Sequence, residues 1–230
     1  MAPKPSTTTA PTATRTPAQS KRAGDFDFME WFQVNSRIIV GAAIVIAVAG
    51  IGYWFYVRSQ QIKTVNAERS LMQAEQSLQS GNTALAASDL QRVVSRYTGT
   101  GAGTQAAMLL AQTNFNAGKY QEGIKALQSV SGKAGGSEAA VQSLIGDGYS
   151  QINKPIDAAK AYEKAAAAAE FNNERAYYKA KAARSYTTAG NTADAKRLWT
   201  ELSTDEKAQS VAAEARVRLA ELEAKRAGKS

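Results

Sequence analysis

An uninterrupted apolar run at residues 38–57 constrains the fold of this chain more than any other sequence feature. The run reads IIVGAAIVIAVAGIGYWFYV and holds 20 residues without a charged side chain. A helix of that length, rising about 1.5 Å per residue, spans the roughly 30 Å hydrocarbon core of a bilayer. Tyr53, Trp54 and Tyr56 lie at its C-terminal end, where aromatic rings favour the membrane interface. The sequence therefore predicts one transmembrane helix over residues 38–57.

The residues inside this run leave two other interpretations open. The small residues at 47–49 resemble the pattern that precedes a signal-peptide cleavage site, although the tail ahead of them is longer than an ordinary n-region. A buried core helix is the second alternative, but a repeat helix would carry a polar face, which this run lacks. If the run does span a membrane, Ala43, Ala47 and Gly50 share one face of it. These small residues predict close packing against a partner helix.

The chain ahead of the apolar run has a different composition. Residues 1–24 are dominated by Pro, Thr, Ala, Ser and basic residues, and they contain no aromatic side chain. Such a segment cannot bury enough apolar surface to offset the entropy of ordering, so we predict a disordered tail. Phe28, Trp31 and Phe32 then follow at helical spacing. They predict that residues 25–37 form a juxtamembrane amphipathic segment in the headgroup region.

Composition excludes several classes of function. The chain has no histidine and no cysteine, so the commonest metal ligands and the usual general base near neutral pH are absent. Its net charge of +8 is diluted along the chain and contains no block of five or six like charges, which argues against a nucleic-acid partner. The richest glycine stretch, GTGAG at residues 99–103, lacks the Lys of a phosphate loop and predicts an inter-repeat loop. We therefore expect no enzyme, no cofactor and no metal.

Four turn signals recur along the rest of the chain at spacings of 37, 35 and 37 residues. The residues in register at these turns are Gly81, Gly118, Asn153 and Gly190. Five positions after each turn comes a small residue, namely Ala86, Gly123, Ala158 or Ala195. Four positions later comes a large one, namely Leu90, Leu127, Tyr162 or Trp199. Agreement between four units makes this an internal repeat.

The repeat pattern has a direct physical interpretation as a helical hairpin. Gly or Asn accepts the left-handed conformation that ends a first helix, and the small residue lets a second helix approach closely. Stacked hairpins then bury the large residues between them. We predict a repeat domain over residues 58–230, with four units and a charged capping helix. The units are expected at about residues 67–97, 104–131, 137–169 and 174–203, and the cap at about 207–226.

These repeats resemble the tetratricopeptide repeat, which has Gly-x-Tyr at the turn and an Ala three residues after the Tyr. Gly118, Lys119 and Tyr120 match that turn, and the pairs Ala158 with Tyr162 and Ala195 with Trp199 match its second helix. Tyr149 and Tyr186 match the aromatic residue that precedes the turn. The first-helix Trp and the closing Pro of the family are missing. The resemblance implies an all-α fold, in which a tetratricopeptide-type α-solenoid follows the transmembrane helix.

The layout also resembles a bacterial family of single-pass inner-membrane proteins, the ancillary subunits of the Sec translocon. The resemblance rests on MEWFQVNSRIIVGAAI before the membrane, YWFYVRSQQ after it, and the Ala-rich repeats that follow. It implies a cytoplasmic N-terminus, a periplasmic repeat domain, and partners among the Sec translocon, periplasmic chaperones or a larger membrane complex. Flanking charge does not decide the orientation, because three basic residues lie within about 20 residues of each end.

The tetratricopeptide resemblance also implies which residues line a groove on the first helix of each unit. The first row is Leu71, Met108, Ser143 and Ala180; the second is Glu75, Gln112, Asp147 and Arg184; the third is Leu78, Phe115, Ser150 and Thr187. From these rows we predict that a partner contacts Leu71, Leu78, Met108, Gln112 and Phe115. The alternative is that the apolar members are core between the first two hairpins. The predicted function is a non-catalytic membrane-anchored scaffold or chaperone-like adaptor, with an accessory structural subunit of a larger inner-membrane complex as the alternative.

Overall fold

A computed structural model of the chain describes residues 36–227, and within them it contains helices and no strand. The predictions of a disordered tail at residues 1–24 and of an amphipathic segment ending at Arg37 lie almost wholly outside the described residues. The described α-helices are α1 (Ser36–Gln79), α2 (Thr83–Tyr97), α3 (Gly101–Asn116), α4 (Tyr120–Gln128), α5 (Glu138–Gln151), α6 (Pro155–Ala168), α7 (Asn172–Thr188), α8 (Thr192–Thr204) and α9 (Gln209–Ala227). Short 3₁₀ turns, Gly135–Ser137 and Glu206–Ala208, precede α5 and α9. The predicted all-α fold is confirmed for this part of the chain.

The chain divides into two units, residues 1–55 and residues 56–230. In the first unit, the described residues all belong to α1, and apolar side chains such as Ile46 and Phe55 are exposed. Among residues 36–227, α1 is the one helix long and apolar enough to cross a membrane, and none of its apolar window is buried within the protein. That exposure argues against the buried core helix considered above.

The second unit is built from helix pairs joined by tight turns. The four residues predicted to adopt the left-handed conformation do so, with φ of 77° at Gly81, 72° at Gly118, 54° at Asn153 and 75° at Gly190. At each turn, the next backbone N–H donates to a carbonyl five residues earlier, as from Lys119 to Asn114 at 2.8 Å. This bond belongs to the Schellman motif, which satisfies carbonyls left free at a helix end. The prediction from turn chemistry is confirmed at all four positions.

Helix starts follow from side-chain capping. The side-chain oxygens of Asn82, Thr100 and Asn191 accept hydrogen bonds from backbone N–H groups in the first turns of α2, α3 and α8. These bonds satisfy donors that have no partner inside the helix. Helix α6 instead begins with Pro155, whose fixed φ suits the first helical position and whose missing N–H would have had no partner there.

The loop predicted at residues 99–103 is shorter than expected. Thr100 caps α3, so Gly101 and Gly103 lie in its first turn. A Cβ on Gly103 would collide with the carbonyl oxygen of Tyr97 at the end of α2. Gly103 is therefore required for the close approach of two consecutive helices, and the prediction that all five residues form a loop was wrong.

The helices of the second unit pack largely in chain order, each against the next, and bury two apolar clusters. The first cluster joins the C-terminal part of α1 to α2–α5 and includes Leu90 and Leu127. The second joins α6–α9 around Tyr162 and Trp199. The four large residues that the repeat pattern places between helices are therefore core residues, with at most 3% of their surface exposed.

Candidate protein-binding face

The three predicted rows on the first helices differ in accessibility. We call these rows, together with the neighbouring side chains on the same helices, the first-helix face. In the first row, Leu71, Ser143 and Ala180 are buried, with 6%, 8% and 0% of their surface exposed. In the second row, Gln112 and Arg184 are exposed, and the other two members are half-buried. Three members of the first row are therefore buried, its fourth member, Met108, is half-buried, and the second row is the more accessible of the two.

The accessible second row connects neighbouring first helices through polar contacts. Glu75 on α1 accepts a hydrogen bond from Gln105 on α3 at 3.0 Å. Asp147 on α5 forms an ion pair with Lys181 on α7. Arg184 on α7 forms one with Glu214 on α9. Polar side chains in this row therefore bridge α1 to α3, α5 to α7 and α7 to α9.

The pair between Arg184 and Glu214 joins α7 to α9 through two hydrogen bonds. The guanidinium Nε donates to Glu214 Oε1 at 2.8 Å, and a second nitrogen donates to the other carboxylate oxygen. Such a bidentate arrangement is the geometry that guanidinium and carboxylate groups favour. The Arg184 hydrogen bond lowers the pKa of Glu214 despite partial burial, and the same bond raises the pKa of Arg184.

Lys181 lies at the centre of the polar part of the first-helix face. Its ammonium Nζ is 2.6 Å from Asp147 Oδ1 and 4.5 Å from the ring centroid of Tyr162. The Tyr162 hydroxyl donates to the same carboxylate oxygen at 2.6 Å. Burial, then this hydrogen bond, raises the pKa of Tyr162, so its hydroxyl stays protonated. The exposed ring of Tyr177 lies 5.7 Å from the same ammonium and presents an aromatic surface to solvent.

The five residues predicted to contact a partner do not share one environment. Leu71 packs inside the first apolar cluster, whereas Leu78, Met108 and Phe115 are half-buried against it. Gln112 is exposed on α3. Of the five, Gln112 therefore has the most accessible side chain, and Met108 offers a partly open apolar surface beside it.

Phe115 is held by two glycines on neighbouring helices. A Cβ on Gly148 of α5 would lie 2.8 Å from the Phe115 ring, and one on Gly123 of α4 would collide with it. The Phe115 ring centroid is also 5.8 Å from that of Tyr120. The ring therefore fills a gap between α3, α4 and α5. This packing favours the alternative that Phe115 is a core residue and not a partner contact.

The cationic side chains that α7 contributes to this face are neutralised by ion pairs. On α7, Lys179, Lys181 and Arg184 are paired with carboxylates from three different helices. Because these three cations are already paired, they are not available to hold the free carboxylate of a partner. Within residues 36–227, no cluster of three or more acidic side chains could hold a metal ion.

Sequence reasoning missed Lys181 and Tyr177 as members of this face. Lys181 follows the buried first-row residue Ala180 directly, and its long side chain reaches back across the α5–α7 boundary to Asp147. Tyr177 lies one turn before Lys181. The spacing of four residues between an aromatic and a cationic residue on one helix was the signal that could have identified the pair.

The small residues Ala43, Ala47 and Gly50 lie on α1 in the first unit, and all three are exposed. A Cβ added to Gly50 would meet no atom within 4 Å. Nothing in the described part of this single chain covers this side of the helix. It is therefore open to another helix.

A family model described as a tetratricopeptide repeat-like domain matches residues 29–145. The matched segment contains the apolar run, the first two predicted units and the start of the third. No curated protein matches the chain.

Proposed function

We propose that this chain, which belongs to the tetratricopeptide repeat-like domain family, is a non-catalytic scaffold that is anchored in a membrane and binds other proteins. Its repeat domain would form an α-solenoid of four hairpins with α9 as the cap, and stacked hairpins present a long surface for partners. The family match supports protein binding, and the long apolar helix α1 supports the anchor.

The observation that carries the binding proposal is the accessibility of the second row. Gln112 is exposed, and the neighbouring Met108 is half-buried, so a partner would meet an amide beside an adaptable apolar side chain. Further along the face, the exposed ring of Tyr177 lies near a neutralised ion pair. Aromatic residues and Met are enriched at protein–protein interfaces relative to the rest of the surface.

Site-specific crosslinking tests this assignment. A photo-crosslinking amino acid at position 112 on α3 is compared with the same residue at position 121 on α4, since Gln112 and Gln121 are both exposed glutamines of one predicted unit. In native membranes, we expect crosslinked partners from position 112 and few or none from position 121. Equal crosslinking from both positions, or none from position 112, would contradict a partner on the first-helix face.

Residues 38–57 are proposed to anchor the chain in a bacterial inner membrane, with the N-terminus in the cytoplasm and the repeat domain in the periplasm. This orientation rests on the resemblance to ancillary Sec translocon subunits, which also suggests partners at the exit of the export machinery. In this role the scaffold would act as a chaperone-like adaptor near emerging proteins or near periplasmic chaperones.

The absence of cysteine makes topology directly testable. Single variants Gln121→Cys and Ser6→Cys are exposed to a membrane-impermeant maleimide in spheroplasts. We expect labelling of Cys at position 121 and labelling at position 6 only after the membrane is opened. The reverse pattern would overturn the orientation. Loss of the N-terminal segment from the mature chain would instead indicate a cleaved signal peptide.

A second function is favoured by apolar side chains on α1 beyond the predicted span. Ile62, Val65 and Met72 are 50%, 52% and 61% exposed. Exposed apolar residues on one helix often mark a permanent protein contact, which would make the chain an accessory structural subunit of a larger inner-membrane complex. Mild detergent extraction followed by mass measurement separates the two functions. A stoichiometric complex supports the subunit, and substoichiometric, exchangeable partners support the adaptor.

A further inference from the structure

A polar cleft of about 190 Å³ lies between α4, α5 and α6, apart from the first-helix face. Liquid water occupies about 30 Å³ per molecule, so the cleft has room for roughly six waters or for one small organic group. Ile145 and Ala161 contribute apolar surface to the cleft, and the remaining side chains that line it are polar or charged. Its size and lining suit a small polar ligand.

Hydrogen bonds already connect several of the side chains that line the cleft. Gln142 is only 7% exposed, and its amide nitrogen donates to Ser131 at 2.6 Å and to Glu138 at 2.8 Å. On the other side, the amide of Gln128 donates to the Tyr149 hydroxyl oxygen at 3.0 Å. Because that oxygen accepts this bond, the Tyr149 hydroxyl proton is available for an acceptor in the cleft.

The charge of the cleft comes from α6. Lys160 and Lys164 lie one helical turn apart and both line the cleft, together with Asp157 one turn earlier. Within residues 36–227, neither lysine has a carboxylate within ion-pair distance. The carboxylate of Glu138 accepts hydrogen bonds from Ser131 and Gln142, which line the cleft, and from a backbone N–H. The lining itself carries two positive charges and one negative charge, and Glu138 adds a second negative charge beside it.

We propose that this cleft binds a single carboxylate group. The two ammonium groups supply the charge, and the Tyr149 hydroxyl supplies a directed hydrogen bond. Asp157 in the lining and Glu138 beside it repel a doubly charged phosphate more strongly than a monoanion. The carboxylate can come from a free small acid or from the end of a peptide chain.

Ligand pairs separate these two sources. The full chain in detergent micelles is titrated with acetate, with N-acetylglycylglycine, with the C-terminal amide of that peptide, and with inorganic phosphate. Chemical shifts of the Gln128 and Gln142 side-chain amides report binding. We expect saturable shifts with both carboxylates and none with the peptide amide. Tighter binding of the peptide acid identifies a peptide end as the source, and equal binding identifies a free acid.

Substitutions of Lys160, Lys164 and Tyr149 test whether these residues bind the carboxylate. Lys160→Gln combined with Lys164→Gln should raise the Kd about tenfold, since two partly exposed ion pairs are lost. Tyr149→Phe should raise it about fivefold, because one hydrogen bond to a charged group is lost. The matched control, Lys119→Gln combined with Lys207→Gln, removes the same charge from exposed positions outside the cleft and should change the Kd less than twofold.

Four results would overturn the proposal. In the titrations, these are the absence of saturable shifts with either carboxylate, shifts with the peptide amide as large as those with the peptide acid, and tighter binding of phosphate than of both carboxylates. The fourth is a loss of affinity in the control variant as large as that in the double lysine variant of the cleft. Circular dichroism of each variant shows whether it is folded. The crosslinking experiment on the first-helix face is independent of all four.

Discussion

The Cα atom of Gly148 on α5 faces the ring of Phe115 on α3, with no space for a methyl group between them. A Cβ on Gly148 would lie 2.8 Å from Phe115 Cζ and 2.6 Å from Ile124 Cγ1. Ile124 belongs to the first apolar cluster and Phe115 packs against it, so neither side chain can move away without disturbing close packing. Gly148 is therefore a packing residue that sets the distance between the second and third predicted units.

Gly148→Ala should lower the free energy of unfolding by about 1–3 kcal/mol, because overpacking forces neighbouring side chains out of their rotamers. Chemical denaturation of the full chain in detergent, followed by circular dichroism, measures the change. Gly101→Ala is the control, since a Cβ at that position in α3 meets no atom within 4 Å. It should leave stability unchanged or raise it by a few tenths of a kcal/mol. Equal effects of the two substitutions would contradict the tight contact.

Asn153 adopts a left-handed conformation, with φ of 54°. Asn153→Ala should lower the free energy of unfolding by about 1 kcal/mol, whereas Asn153→Gly should be neutral or stabilising, because glycine carries no Cβ penalty there. Thermal unfolding distinguishes the two variants. Asn173→Ala, at an exposed position near the start of α7, should change the unfolding free energy by less than about 0.5 kcal/mol. Greater stability of the alanine variant than of the glycine variant at 153 would be incompatible with this turn.

The ion pair between Arg184 and Glu214 should contribute to the free energy of unfolding in a pH-dependent way. The Arg184 hydrogen bond lowers the pKa of Glu214 in the folded chain. The ion pair therefore contributes fully to stability above the pKa that a glutamate has in the unfolded chain, about 4.3. This contribution is lost as the pH falls through the lower pKa that Glu214 has in the folded chain. Arg184→Gln should cost about 0.5–1 kcal/mol at pH 7, since both groups are partly exposed.

Denaturation curves at pH 7 and pH 3 check this prediction. The difference between wild type and Arg184→Gln should shrink at the lower pH. Arg216→Gln removes an equal charge from an exposed position on α9 and should show a smaller effect at pH 7. A difference that does not depend on pH would mean that Arg184 stabilises the fold through packing of its aliphatic chain.

Tyr162 donates its hydroxyl to Asp147 from an almost fully buried position. Tyr162→Phe should lower the free energy of unfolding by about 1.5 kcal/mol, the usual size for a hydrogen bond to a charged acceptor. Tyr177→Phe is the matched control because its ring is 49% exposed, and it should change stability by less than about 0.5 kcal/mol. Denaturant unfolding measures both variants, and equal losses would show that the hydroxyl of Tyr162 contributes nothing specific.

Much of the fold is readable from local rules in the sequence. The left-handed turns at Gly81, Gly118, Asn153 and Gly190 were predictable because only Gly and Asn adopt that conformation at low cost. Large residues such as Leu90 and Trp199 were predictable as core residues. A small residue followed by a large one at the same positions of each repeat is expected where the helices of stacked hairpins pack together.

The accessible face was harder to predict, because helical spacing places residues on a side of a helix without stating how deeply that side is buried. Leu71 and Gln112 were predicted together as partner contacts, yet Leu71 is 6% exposed and Gln112 is open to solvent. The depth of each row depends on the packing between neighbouring first helices, which is a long-range property.

Local chemistry in the sequence determined the helices, their turns, the tetratricopeptide-like repeat, and an apolar run long enough to cross a membrane. Those features depend on residues near one another in the chain, whose conformational preferences act over a few positions. Only the tertiary structure decided that Lys181 meets Asp147, that Phe115 fits between two glycines, and that Lys160 lines a cleft with Tyr149. Each contact joins helices whose distance and rotation are set by side-chain packing, and no local pattern specifies either quantity.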